Sequence, residues 1–134
     1  TADLALLPFP TAATKLTKAL KDKNPRVRFW AVTACSCFGM KAETLAAQVK
    51  PLLRDPDDMV RVRAAEFLGI VRQADPGPTL YDVLASNASN AAAAITMNTL
   101  VFLRDHHQYD FNVDAIKVKS KEPLVQRRLE YLAK

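Results

Sequence analysis

The sequence predicts an all-α fold, a short right-handed α-solenoid of antiparallel helix pairs followed by a C-terminal capping helix. The first observation is a repeat: residues 27–31 (VRFWA) recur in type and spacing as residues 60–64 (VRVRA), at an offset of 33. Residues 20–22 (LKD) recur at the same offset as residues 53–55 (LRD). A fixed period of this size is typical of stacked helical repeats, in which each unit buries its apolar face against its neighbours.

The second observation is an apolar stripe at helical spacing in each repeat. With units at residues 14–39, 42–71 and 76–103, the stripes of the second helices are Val27, Ala31, Ala34, Cys35 and Phe38; Val60, Ala64, Phe67, Leu68 and Val71; and Ala92, Thr96, Thr99, Leu100 and Leu103. A shorter apolar pattern predicts a first helix in each unit, at Leu16 and Leu20; at Leu45, Val49, Leu52 and Leu53; and at Leu80, Val83 and Leu84. We expect Phe67 and Leu68 to be buried between the second and third units.

Helix start signals agree with these units. Asn24, Asp57 and Ser89 stand at equivalent places before the three second helices, and each has a side chain that can accept from the free amides of a first helical turn. Pro25 follows the first of them at a position where its missing donor costs nothing. The three residues therefore predict where the second helices begin.

The remaining stretches have weaker patterns. Residues 75–78 (DPGP) predict a loop, residues 104–114 predict a longer connection, and residues 115–133 predict the cap, with a helix from Pro123 to Leu132.

Before the first unit, four apolar residues predict a short helical turn and a partly exposed docking patch: Leu4, Leu6, Leu7 and Phe9. Since the chain opens with Thr and shows no signal segment, we expect a single domain from a longer protein.

The second unit carries a family resemblance. Its pattern resembles the HEAT repeat, over about residues 14–103, through Leu53, Asp55, Pro56, Val60-Arg61, Ala64-Ala65 and Leu68-Gly69. Pro51 lies where that family often kinks its first helix. The resemblance implies a scaffold that holds a partner.

A narrower resemblance concerns bacterial sulfatases. Residues 27–31, the second Val-Arg unit and residues 97–100 (MNTL) are similar to the HEAT-like region that follows the catalytic domain in some of these enzymes. The third unit departs from that pattern, with Ala92-Ala93 where a Val-Arg pair is expected. The resemblance implies that the parent chain is a sulfuric ester hydrolase, periplasmic or exported, and that this segment is its C-terminal accessory domain.

The segment itself lacks the residues that sulfatases use. That family oxidises a Cys or Ser to formylglycine within a Cys/Ser-x-Pro-x-Arg motif, beside a calcium ion. Residues 35–39 (CSCFG) contain neither the Pro nor the Arg, and Asp57-Asp58 alone cannot supply the six or more oxygen ligands of calcium. The resemblance therefore implies that the chemistry lies upstream, and we expect the isolated chain not to hydrolyse sulfate esters.

Other candidate chemistries are weak. Cys35 and Cys37 diverge on a helix and have no Cys-x-x-Cys spacing, so we expect Cys35 to be a small core residue. His106 and His107 lie beside Arg104 in a polar stretch, which favours solvated side chains over a base or a metal ligand. We therefore predict no catalytic residue, no metal and no cofactor.

Arg28 and Arg61 open the second helices of two units and have two interpretations. In a structural ladder, each arginine would bridge to an aspartate in a neighbouring inter-helix turn, here Asp55 or Asp22, through two parallel hydrogen bonds. Alternatively, the two arginines line an anion-binding site, because a guanidinium group matches phosphate or sulfate equally well.

The net charge of +5 raises a second class of function. One basic run comprises Lys15, Lys18, Lys21, Lys23, Arg26 and Arg28, and another comprises Lys117, Lys119, Lys121, Arg127 and Arg128. Such runs can bind a nucleic acid or a sulfated glycan by releasing counterions. Apolar core positions interrupt them and no series of aromatic residues accompanies them, which favours a solvated helical face.

The sequence as a whole predicts a non-catalytic helical-repeat scaffold whose partner is the catalytic domain of its own parent chain. The alternative is a free-standing HEAT-type adaptor that binds another protein or a nucleic acid. No apolar run is long enough to cross a bilayer, so we expect no membrane partner.

Overall fold

The computed structural model describes residues 9–134, which form helices and connections without a strand. The α-helices are α1 (Phe9–Ala19), α2 (Pro25–Phe38), α3 (Ala46–Val49), α4 (Asp58–Ile70), α5 (Gly77–Ala85), α6 (Asn90–His107) and α7 (Pro123–Leu132). Helices α2, α4 and α6 pack side by side, α1 and α5 pack against them, and α7 packs against α6. This arrangement confirms the predicted all-α helical-repeat solenoid.

The second helices begin where the sequence predicted. The Asn24 side chain accepts from the Arg26 amide at 2.9 Å, with Pro25 in the first turn of α2. Asp57 Oδ1 accepts from two amides at the start of α4, at 2.9 and 3.1 Å. Ser89 Oγ accepts at 3.1 Å from the third residue of α6. These caps satisfy amides that a first helical turn leaves without an intrahelical partner.

The first helix of the second unit is irregular, which corrects the regular helix expected there. It consists of the 3₁₀ segment Gly39–Leu45, the single α-turn α3 and the 3₁₀ segment Lys50–Arg54. Pro51 lies in the first turn of the last segment and cannot donate to the ladder of an α-helix, which accounts for the change to 3₁₀ geometry there. The segment still buries Leu45, Val49 and Leu52 as the sequence predicted.

Helix α4 is buried on two sides. Phe67 and Leu68 are fully buried, as expected, but they pack in a core cluster made with the first unit. The prediction that they face the third unit is therefore wrong. Val62 and Ala65 of the same helix, outside the repeated stripe, pack with the third unit and the cap. A central helix of a stack needs two apolar faces, and the stripe at the repeat offset marks one of them.

Helix α4 approaches the third unit closely at Gly69. A Cβ atom at this position would lie 3.1 Å from Pro76 and 3.4 Å from Leu103. The Gly69 carbonyl oxygen also accepts from the Tyr109 hydroxyl at 2.7 Å. The small residue allows the second and third units to pack at this distance.

Two boundaries of the third unit differ from the prediction. Helix α5 begins at Gly77, inside the expected loop, and α6 continues to His107, inside the expected connection. The extension of α6 is stabilised by Arg104, whose Nη1 donates to the Leu132 carbonyl oxygen of α7 at 2.9 Å. Gln108 ends the helix in the left-handed conformation. The last turn of α6 makes polar contacts, so the apolar periodicity of the sequence did not predict it.

The C-terminal part of the chain covers the third unit. Phe111 and Ile116 of the connection are buried, and Phe111 stacks on Tyr109 with 5.7 Å between ring centroids. Helix α7 then buries Val125 and Leu132 in the same core cluster. The cap helix thus has the bounds predicted for it, Pro123–Leu132.

Candidate interaction surface

Arg28 joins the first two units at their inter-helix turns. Its Nε and Nη2 donate to the two carboxylate oxygens of Asp55 at 2.7 and 2.9 Å, and its Nη1 donates to the carbonyl oxygens of Asp22 and Lys23 at 2.8 and 3.1 Å. The two side chains are only 12% and 4% exposed. Asp55 also accepts from the Asp57 amide at 2.9 Å, so the ion pair holds both turns in place.

Arg61 does not make the equivalent contact. It pairs instead with Asp58 of its own helix, three residues earlier. Arg28 reaches an aspartate 27 residues later, and the position 27 residues after Arg61 is Ala88. Because the third unit lacks this aspartate, the ladder hypothesis describes Arg28 and not Arg61.

A polar network that sequence reasoning missed connects the second and third units. Glu66 Oε2 accepts from Arg63 Nη1 at 2.9 Å and from Thr99 Oγ1 at 3.0 Å. The guanidinium of Arg63 also lies 5.3 Å from the centroid of the Phe29 ring, in the first unit. One surface formed by α2, α4 and α6 is thereby tied together across three units. The sequence did contain one sign of this network: Arg63 of the second unit stands at the position that Trp30 occupies in the first.

The same surface contains an open cleft between the beginnings of α2 and α4. It has a volume of about 490 Å³ and is lined by Pro25, Arg26, Phe29, Trp30, Asp57 and Met59. Trp30 is 46% exposed, and its ring meets that of Phe29 edge-on, with 5.1 Å between centroids. We call this site the Trp30 cleft. It combines an accessible indole with one cation and one carboxylate.

The basic run extends over α1, the turn after it and the start of α2. Lys15, Lys18, Lys21, Lys23 and Arg26 are exposed. Within residues 9–134, none of the five forms an ion pair. Arg26 lines the Trp30 cleft, whereas Lys21 lines a separate pocket with Arg28 and Asp55.

The predicted docking patch is described only at its last residue. Leu4, Leu6 and Leu7 lie outside the described residues. Phe9 is half-buried in the first turn of α1, where its ring meets Phe38 edge-on with 5.3 Å between centroids. Met40, two residues after Phe38, is 57% exposed. We group Phe9, Phe38 and Met40, three apolar side chains at the start of α1 and around the end of α2, as the end surface of the first unit.

The histidine pair lies on the last turn of α6 rather than in a loop. Phe102 contacts both rings, with centroids 5.3 Å from His106 and 5.2 Å from His107. Burial, and then the positive charge of Arg72, lower the pKa of His107. Among residues 9–134, no group of three or more His, Cys, Asp or Glu side chains is placed to hold a metal ion. The same residues include no helix long and apolar enough to cross a membrane.

The two cysteines are expected to react at very different rates. Cys35 is fully buried, and this burial raises the pKa of its thiol to about 12, whereas Cys37 is exposed. Since the thiolate is the reactive form, a disulfide reagent at neutral pH should label one thiol in the native protein and the second only after unfolding. A Cys37→Ser variant should show no rapid labelling. Rapid labelling of that variant would contradict the burial of Cys35.

Comparison with known protein families gives a match to a helical repeat. The sequence model of a family described as HEAT repeats matches residues 13–98, which cover α2 to α5 completely and parts of α1 and α6. No curated protein and no solved structure matches the chain significantly.

Proposed function

This chain belongs to the HEAT-repeat family and is a helical-repeat scaffold, and we propose that it is the non-catalytic C-terminal accessory domain of a bacterial sulfatase, packed against the catalytic domain of its parent chain. The observation that carries the docking part of this proposal is a difference between the two ends of the stack. Terminal repeats of a solenoid need a polar outer face or a covering partner.

The C-terminal end has such a polar face. Helix α7 buries Val125 and Leu132, while Arg127, Arg128 and Glu130 are exposed. This helix therefore covers the third unit and presents charged groups to solvent.

The first unit has an apolar end surface instead. Phe9 and Phe38 are half-buried against each other, and Met40 is exposed. The catalytic domain of the parent would cover these three side chains and exclude water from them. In that arrangement the formylglycine motif lies upstream of this segment, and the whole protein is periplasmic or exported.

A test compares Phe9→Ser in the isolated 134-residue chain and in the full-length parent protein. If the end surface docks on the catalytic domain, Phe9 loses more buried area in the parent, so the substitution should lower the melting temperature of this domain by about 2–4 °C more there. Differential scanning calorimetry of both proteins measures the difference.

Phe102→Ser is the matched control, because Phe102 is also exposed in part (38%) but lies on α6. It should shift both melting temperatures equally. Equal shifts for Phe9→Ser would remove the docking surface from the proposal. A parent sequence without a Cys/Ser-x-Pro-x-Arg motif would contradict the sulfatase assignment and favour a free-standing adaptor, and hydrolysis of an aryl sulfate by the pure fragment would contradict a non-catalytic role.

A further inference from the structure

The Trp30 cleft offers an aromatic surface that the packing of the repeats does not use. Trp30 is the single tryptophan of the chain, and nearly half of it is accessible in an open cleft of about 490 Å³. Its neighbour Phe29 is engaged by the Arg63 guanidinium, whereas the contact between Phe29 and Trp30 is edge-on. The Phe29 ring is therefore not stacked on the indole, which can stack on a planar ligand instead.

One cation lines this cleft, and a second precedes it in the turn before α2. Arg26 lies four residues before Trp30 on α2, so the two side chains project from the same side of the helix. Lys23 precedes α2 in the turn, and both cations are exposed and form no ion pair within residues 9–134. Two such cations beside an accessible aromatic ring can hold consecutive phosphates of a nucleic acid strand.

The carboxylate in the cleft favours a nucleic acid over a sulfated glycan as the ligand. Asp57 Oδ1 is held by the first amides of α4, and the residue lines the cleft beside Met59. A sulfated glycan carries its charges on the sugar rings, so its sulfates would be placed near this carboxylate. A nucleotide keeps its phosphate away from an uncharged planar base, and base amino groups can donate to a carboxylate.

We propose that the Trp30 cleft binds a base of single-stranded nucleic acid, with the base stacked on the indole and the flanking phosphates held by Lys23 and Arg26. Single-strand binding sites combine these two parts, an aromatic platform and a positively charged track. In duplex DNA the bases are stacked within the helix and cannot enter the cleft. The site is independent of any docking on a catalytic domain.

The test is titration of the 134-residue chain with an oligodeoxycytidylate of about 12 nucleotides, a length within the range of one single-strand binding module, whose bases carry the amino group that Asp57 would accept from. Because Trp30 is the only tryptophan, base stacking should quench the intrinsic fluorescence of the protein directly. With a labelled oligonucleotide, Trp30→Ala should weaken binding by roughly tenfold or more, while Trp30→Phe should lose less because it keeps a ring. Circular dichroism checks that both variants fold.

The phosphate track is tested by salt dependence. The double variant Lys23→Gln/Arg26→Gln removes two phosphate contacts. The slope of log affinity against log salt concentration is negative, and its magnitude should decrease by about 1.4 in this variant. Phe102→Ala and the pair Lys117→Gln and Lys121→Gln are matched controls, since these residues are exposed away from the cleft, and they should change little.

Three results would overturn the proposal. These are absence of binding at low salt, binding without quenching of Trp30, and binding of duplex DNA or heparin as tight as that of the single strand with equal loss in Trp30→Ala. The last result would assign the cleft to polyanions in general.

Discussion

Replacing Phe67 with Ala is expected to lower the free energy of unfolding by about 3–5 kcal/mol, because it removes a large, fully buried ring from the core between the first two units. Leu68→Ala, at the adjacent buried position, is expected to cost about 2–5 kcal/mol. Urea unfolding followed by circular dichroism measures both changes. The core here includes Leu16, Val49 and Val60, from both units, so the cavity cannot be filled by one flexible neighbour.

Phe102→Ala is the control for this experiment. Phe102 is also a phenylalanine, but it lies on α6 and is 38% exposed. Its replacement should lower the free energy of unfolding by about 1 kcal/mol, much less than the replacement of Phe67. A cost at Phe67 no larger than at Phe102 would contradict the packing of the first two units. It would also contradict the assignment of the repeated stripe to the core.

The repeated features of the chain were predictable from the sequence. The stripe of α4 and the three capping residues Asn24, Asp57 and Ser89 recur at nearly constant spacing, and each has a local physical requirement: burial of a helix face, or an acceptor for free amides. Local requirements can be read from short stretches of sequence. For this reason, the fold class and the starts of the second helices agree with the structure.

The features that deviate from the repeat were not predictable in the same way. The second apolar face of α4 depends on packing between units, which a period does not report. The Trp30 cleft likewise forms only when α2 and α4 lie side by side, since Trp30 and Met59 are far apart in the sequence. The sequence shows Ala88 at the position where the third unit would need an aspartate to pair with Arg61. This could be interpreted only once the structure showed that Arg28 pairs with an aspartate of the next unit.

Replacing Asp55 with Ala is expected to cost about 2 kcal/mol, because it removes a buried carboxylate that accepts two hydrogen bonds from the partly buried guanidinium of Arg28. The remaining hydrogen bonds from Arg28 Nη1 to the Asp22 and Lys23 carbonyl oxygens would keep the side chain in place. The amide of Asp57 would also lose its acceptor at the start of α4. Chemical unfolding at neutral pH measures the loss.

A double-mutant cycle separates the ion pair from these other effects. Arg28→Met removes the charge while keeping an apolar stem, so the double variant Arg28→Met/Asp55→Ala should be more stable than Asp55→Ala alone. The pair formed by Arg61 and Asp58 is the control: its side chains are 25% and 33% exposed and lie on one helix, and Asp58→Ala should cost under about 1 kcal/mol. Equal costs for Asp55→Ala and Asp58→Ala would mean that Arg28 does not join the two units. A larger cost at Asp55, recovered in part by Arg28→Met, would show that the ion pair of Arg28 and Asp55 joins the first two units. The second and third units are joined differently, through the hydrogen bonds of Glu66 with Arg63 and Thr99.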